Sequence, residues 1–170
     1  KLEFVNLDKI YKKNFSDQDI NSFYLEKKEN FLQEFKKIKF SLLTPKNLTN
    51  TDEFSEMFFN KIDEIDNLIA NKNSLKDIAQ RYNLKIETSP EINVLGIDLN
   101  GNKKNILSAE ILKEIFTSEF IGQAQLTSEN DQFLIYEIIS SENKLQSLNN
   151  EEVKKNLIEI LTAKSVIEKN

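Results

Sequence analysis

The stretch that decides the fold is Asn71–Thr88, NKNSLKDIAQRYNLKIET, in which a polar turn, a short helix and a strand follow one another without a spare residue. Ser74 and Asp77 stand three apart, the capping-box spacing in which each side chain accepts the other's backbone N–H. Leu75, Ile78, Ala79 and Tyr82 recur at helical period, and Asn83 is a residue that tolerates the left-handed conformation closing a helix. Leu84 to Thr88 then alternates at period two, which predicts a strand. A helix that delivers a strand this quickly must lie back across the sheet it feeds.

Working outward, Phe35 to Thr44 sets Ile38, Phe40 and Leu42 against Lys37, Lys39 and Ser41, a half-buried strand that Pro45 ends. Asp52 to Ala70 carries Phe54, Phe58, Ile62, Ile65 and Ile69 on one helical stripe. Asn100-Gly101 between two apolar runs signals a hairpin within 91–107. Ser108 caps a short helix with Ile111, Leu112, Ile115 and Phe116, and Gly122 precedes a short strand over 123–127. After a turn at 129–131, Gln132 to Ile139 is the most apolar strand and so central in its sheet. Residues 2–7 read as a strand, Ser16 opens an N-terminal helix with Ile20, Phe23, Tyr24 and Phe31, and Asn150 caps a C-terminal helix to about Glu168. The fold class is therefore α+β, with helices flanking a sheet-bearing middle.

Composition narrows the chemistry. The chain of 170 residues has 39% hydrophobic and 30% charged residues, room for one sizeable core or a small domain with helical flanks. No apolar run approaches the roughly 18 residues of a membrane span. A net charge of −5 with interspersed signs offers no basic face for nucleic acid. The absence of histidine and cysteine excludes Ser-His-Asp and Cys-His nucleophiles and His- or thiolate-bound metals. Asp98-Leu-Asn-Gly-Asn102 has closely spaced oxygens, but glycine falls fourth instead of sixth and Ala109 stands twelfth, so a hairpin turn is the better reading than calcium. Asp63-Glu-Ile-Asp66 reads as a solvated helix face and not as a catalytic carboxylate pair. No cofactor or metal is expected.

The segments SLKDIAQRYNLKI, ILKEIFTSEFIGQ and FLIYEII, in this order, resemble the F-x-x-L-A helix, the aF-x-L-x-x-G segment and the last strand of parvulin-type prolyl isomerases. The flanks SDQDINSFYLEKKENF and LNNEEVKKNLIEIL are similar to helices around the parvulin domain of periplasmic folding factors of the PpiD group, with SurA more distant. The resemblance implies a parvulin-like, antiparallel-dominated four-stranded sheet with helices. It divides the chain into an N-terminal chaperone-like flank (1–34), a degenerate parvulin-like domain (35–140) and a C-terminal flank (141–170). It further implies a periplasmic location, an inner-membrane anchor outside this segment, and unfolded envelope proteins as partners.

Where active parvulins carry polar groups this chain departs from the pattern. Phe40 stands at the first-strand histidine, Lys85 falls near the Cys/Asp position, and Leu134 stands at the last-strand histidine. The Gly-Gly-x-Leu-Gly loop is replaced by EINVLGIDLNGNKKNIL, and the Phe116–Gly122 spacing is one residue longer. The expectation is a peptide-binding groove at Phe40, Ile111, Phe116 and Leu134 with no catalytic residue. The alternatives are an active isomerase with an atypical site and a structural spacer. The apolar stripes of the end helices leave packing on each other, on the middle domain, or in a homodimer open.

Overall fold

The pleat of two long strands sorts the apolar residues of the middle of the chain into two cores. The computed structural model of the chain describes residues 15–167, so the strand expected at 2–7 lies outside the described residues. In chain order the elements are α1 (Asp17–Glu26), a 3-10 turn (Lys28–Phe31), β1 (Leu32–Leu43), α2 (Pro45–Thr49), α3 (Glu56–Ala70), α4 (Leu75–Tyr82), β2 (Glu87–Thr88), α5 (Ala109–Thr117), β3 (Ala124–Glu129), β4 (Gln132–Leu145) and α6 (Glu151–Ile167). The fold is α+β, with one four-stranded antiparallel sheet in the order β2-β1-β4-β3. Among the described residues no helix is long and apolar enough to cross a membrane.

The chain divides into two compact units. The larger, Glu34–Asp98 with Lys103–Lys144, holds the sheet. Its odd-numbered Leu43 and Ile135 join Phe58, Ile62 and Ile65 of α3 and Leu75, Ile78 and Ala79 of α4 in one core. Even-numbered Ile38, Phe40, Leu134, Tyr136 and Ile138 form the other with Ile111 and Ile115 of α5. Period-two alternation thus places one helix pair and one single helix on opposite sheet faces.

Local signals fix the element ends. Asp77 N–H donates to Ser74 Oγ at 3.2 Å and Ser74 N–H to Asp77 Oδ2 at 3.4 Å, so the capping box is present. Asn83 takes φ 53°, and Leu84 N–H donates back to the Ala79 carbonyl at 2.8 Å. The strand that follows is shorter than its alternation suggests. Only Glu87 and Thr88 pair with β1, opposite Phe40 and Lys39, while Leu84 and Ile86 pack into the α3/α4 core without ladder bonds. Conversely, β4 runs to Leu145 alongside β1, well past Glu137 where its pairing with β3 ends. Pro45 does more than end β1: Thr44 caps α2 and proline occupies its first turn, where its missing N–H costs nothing. The α3 stripe starts later than the pattern implied, with Ser55 as cap, which leaves Phe54 outside the helix. Within 91–107 the hairpin reduces to single bridges, Ile92 with Asp98 and Ile97 with Lys103 across Asn100-Gly101.

In the smaller unit, the described residues are 15–33, 99–102 and 145–167. There Ile20, Phe23 and Tyr24 of α1 and Phe31 pack on Val153 and Leu157 of α6. Of the arrangements left open by the sequence, the end helices pack on each other. Asn150 Oδ1 accepts from Glu152 N–H at 3.0 Å, capping α6 as its position suggested.

Leu42 is 40% exposed whereas Leu43 is 1% exposed, so the apolar face assigned to β1 from Ile38 through Leu42 ends one step early. Leu42→Ala is expected to change stability by less than about 0.5 kcal/mol, and Ile65→Ala to cost about 2–5 kcal/mol. Urea unfolding followed by circular dichroism checks both.

Candidate functional site: a filled sheet face and an adjoining cleft

β1 and β4 lie side by side and send Phe40 and Leu134 toward α5, whose Ile111 and Ile115 descend onto them. Three of the four residues expected to line a groove are therefore brought together but closed over: Phe40, Ile111 and Leu134 are 2%, 1% and 0% exposed. Their assignment to an open groove is corrected to core packing. The physical reason is complementarity of shape: with apolar side chains at all three positions, α5 gains more by settling onto the sheet than by standing off it. Ile106 and Leu107 cover the same cluster from the loop before α5. Phe40 borders a hollow of about 110 Å³ beside Lys85 and Glu87, which pair with each other at 3.1 Å.

Tyr136 belongs to this packed cluster and carries a polar atom. Its hydroxyl donates to Gln125 Oε1 at 3.2 Å, the same oxygen that receives the Ser118 hydroxyl at 2.5 Å. Burial pushes the Tyr136 hydroxyl above its ordinary value, so it stays neutral and a donor.

Phe116, the fourth expected residue, is half-buried and opens on a different space. Beside it Lys36, 2% exposed, runs under the end of α5. Its Nζ donates to the carbonyls of Ile115 (3.2 Å), Phe116 (3.1 Å) and Ser118 (2.8 Å). It also lies 3.4 Å from Glu34 Oε1 and 5.1 Å from the centroid of the Phe116 ring. A lysine ammonium has three donors, and all are committed to orphan carbonyls at the negative end of a helix. Lys36 is thus a fastening between β1 and α5 and has no donor to spare for a ligand. Glu34 is in turn held by the Ser141 hydroxyl at 2.6 Å.

Around this fastening lies a cleft of about 350 Å³ lined by Glu34, Phe116, Glu119, Ile121 and Ser141. Phe120 and Ile121 are 60% and 51% exposed at its edge, and Gly122 N–H anchors this segment to β4 by donating to the Ile138 carbonyl at 2.9 Å. The volume suits one or two side chains of a peptide, with Phe116 and Ile121 as the apolar part of a lining that is otherwise polar and includes the carboxylates of Glu34 and Glu119. Period two along β1 would have found Lys36, because an even position beside Ile38 and Phe40 must point inward. The cleft beyond Phe116 had no sequence signal, since its walls come from three separate segments.

The remaining sequence candidates fall elsewhere. Asp98 pairs with Lys104 at 3.0 Å at the hairpin base. Glu64 receives Lys61 and the Tyr82 hydroxyl on the surface of α3, and the Lys61 hydrogen bond holds its carboxyl below the usual range.

No family model, no curated protein and no solved structure matches the chain.

Lys36→Met, which keeps the length of the side chain but strands three carbonyls, is expected to cost about 3 kcal/mol and to speed amide exchange at Ser118. Alkali supplies a second check. With its folded pKa raised, Tyr136 contributes stability that is intact below the unfolded value of 10.0 and is lost as pH rises through the folded one. In Tyr136→Phe, alkaline unfolding monitored by circular dichroism is therefore expected to begin at higher pH than in the parent protein.

Proposed function

We propose that this chain is part of a parvulin-type periplasmic folding factor of the PpiD group that binds unfolded envelope polypeptides without catalysing proline isomerisation. The sequence resemblance supports the family. So does the agreement in element order: strand, helices, strand, short helix and two final strands. The observation that carries the absence of catalysis is the apolar filling of the Phe40–Leu134 face. Rotation about an X–Pro bond meets a barrier of about 18–20 kcal/mol, and lowering it requires groups that bind the twisted amide better than the planar one. Phe40, Ile111 and Leu134 offer neither such groups nor room for the amide.

Binding moves instead to the cleft beside Phe116, which is open and offers the Phe116 ring and Ile121 to an apolar side chain. By the same reading the protein works in the periplasm, with its membrane anchor outside these residues.

Exchange NMR on a proline-containing test peptide, with and without the labelled protein, tests both halves of this reading. The cis/trans exchange rate is expected to be unchanged, while amide shifts move at Phe116, Ile121 and Ser141 and stay fixed at Phe40 and Leu134. Accelerated exchange would instead assign an atypical isomerase, with the Tyr136–Gln125–Ser118 network as the polar support to dissect. The absence of both effects would leave a structural spacer.

A further inference from the structure

On the other side of the sheet from the filled face, four phenylalanines meet at the start of α3. Phe58 is fully buried, and its ring makes edge contacts with Phe54 (5.0 Å), Phe59 (5.4 Å) and Phe133 of β4 (5.3 Å). Phe133 also lies 6.3 Å from Phe54 and 6.0 Å from Phe59. The flanking rings pack edge-on against Phe58, yet Phe54 and Phe59 are 40% and 44% exposed, and Met57 between them in sequence is 51% exposed. Single exposed apolar residues are ordinary; rings that gather around one buried partner and still face solvent form a contiguous apolar patch. Because the neighbouring rings already restrain these side chains, little further rotamer entropy is lost when something covers them.

The two segments that carry the exposed rings have charge of one sign. Between Asn50 and Asn60 the charged residues are Asp52, Glu53 and Glu56, and Asp131 stands just before Phe133, with no lysine or arginine in either segment. All four carboxylates are exposed. Glu56 sits in the first turn of α3, where the helix dipole favours an acid in any case. Asp52, Glu53 and Asp131 lie outside the helix and lack that explanation. Lys61, the next cation along α3, is engaged by Glu64 at 2.8 Å. A second copy of the chain would bring like charges together, and an anionic membrane surface would be repelled in the same way. The complementary occupant is a polypeptide segment combining aromatic or aliphatic side chains with lysine or arginine.

We propose that the Phe54–Phe59–Phe133 patch is a docking surface for basic, apolar segments of unfolded polypeptide, separate from the Phe116 cleft. Its biological meaning rests on the polypeptide-binding reading above, but it uses different residues and a different recognition chemistry.

The test uses the whole 170-residue chain and two unstructured synthetic peptides, one alternating leucine and phenylalanine with lysine, the other with glutamate in place of lysine. Fluorescence anisotropy gives affinities and amide shift mapping gives the site. The lysine peptide is expected to move Phe54, Phe59 and Phe133 and to bind at least about tenfold more tightly than the glutamate peptide. Phe54→Ser with Phe59→Ser, both surface positions, is expected to weaken it about tenfold or more. Asp52→Asn with Glu53→Gln and Glu56→Gln should weaken it while flattening its salt dependence. Equal binding of the two peptides, or shifts confined to the Phe116 cleft, would overturn the proposal. So would a doubled mass by light scattering that Phe54→Ser with Phe59→Ser abolishes, since the occupant would then be a second copy. Shifts at the patch from the lysine peptide, with a silent Phe116 cleft toward the proline peptide, would uphold this surface and remove only the cleft from the functional reading.

Discussion

The pleat of β4 is the constraint on which the larger unit depends. Every residue from Leu134 to Tyr136 is buried, and successive side chains must leave the strand on opposite sides. Ile135 therefore belongs to α3 and α4, and Leu134 and Tyr136 to α5. A slip of one residue in the pairing with β3 would exchange these sets and place the Tyr136 hydroxyl among the phenylalanines of α3. The register is held by the turn at Asn130, whose φ of 52° joins Glu129 directly to Gln132. Both cores are thus consequences of one short turn and one alternation.

A sheet face covered by a single short helix needs that helix fixed at its end, and Lys36 does this with a charge. Burying an ammonium costs several kcal/mol unless its donors are satisfied. Three carbonyls at the close of α5, the Phe116 ring and the Glu34 carboxylate meet that requirement together. The same contacts shape the cleft, because they stop α5 at Thr117 and turn the chain outward through Phe120 and Ile121. Stability and the candidate binding surface therefore share one group, although the group itself is closed to ligands.

Where a single element carries its own signal, it was legible in the sequence. The Ser74–Asp77 box, the helical stripe of α3 and the apolar run of β4 each contain their explanation within a dozen residues, and the α+β class follows from their order. Features set by neighbours were not legible in this way. The length of β4 depends on its two partners, and the brevity of β2 on the packing of Leu84 and Ile86 into the α3/α4 core. Phe40, Ile111 and Leu134 were correctly brought to one place, yet whether such a place is a groove or a core depends on how closely α5 approaches, and no periodicity encodes that distance. Lys36 is the instructive middle case: parity alone turns it inward, but the reason a charge is tolerated there lies eighty residues away in the carbonyls of α5.

Filling the α5 face with apolar residues also alters what the rest of the unit can offer a ligand. A closed core leaves binding to edges, and the Phe116 cleft and the Phe54–Phe59 patch both combine exposed apolar groups with carboxylates. As proposed binding surfaces they differ in what they would select: the cleft has room for a side chain and would discriminate by shape, whereas the patch is open and would discriminate by charge. On the polypeptide-binding proposal the two surfaces divide the work: shape would hold one residue of an extended chain, and charge would retain its basic stretches. The packing of Phe40 and Leu134 closes one face of the sheet and leaves the cleft and the patch as open apolar surfaces of the unit.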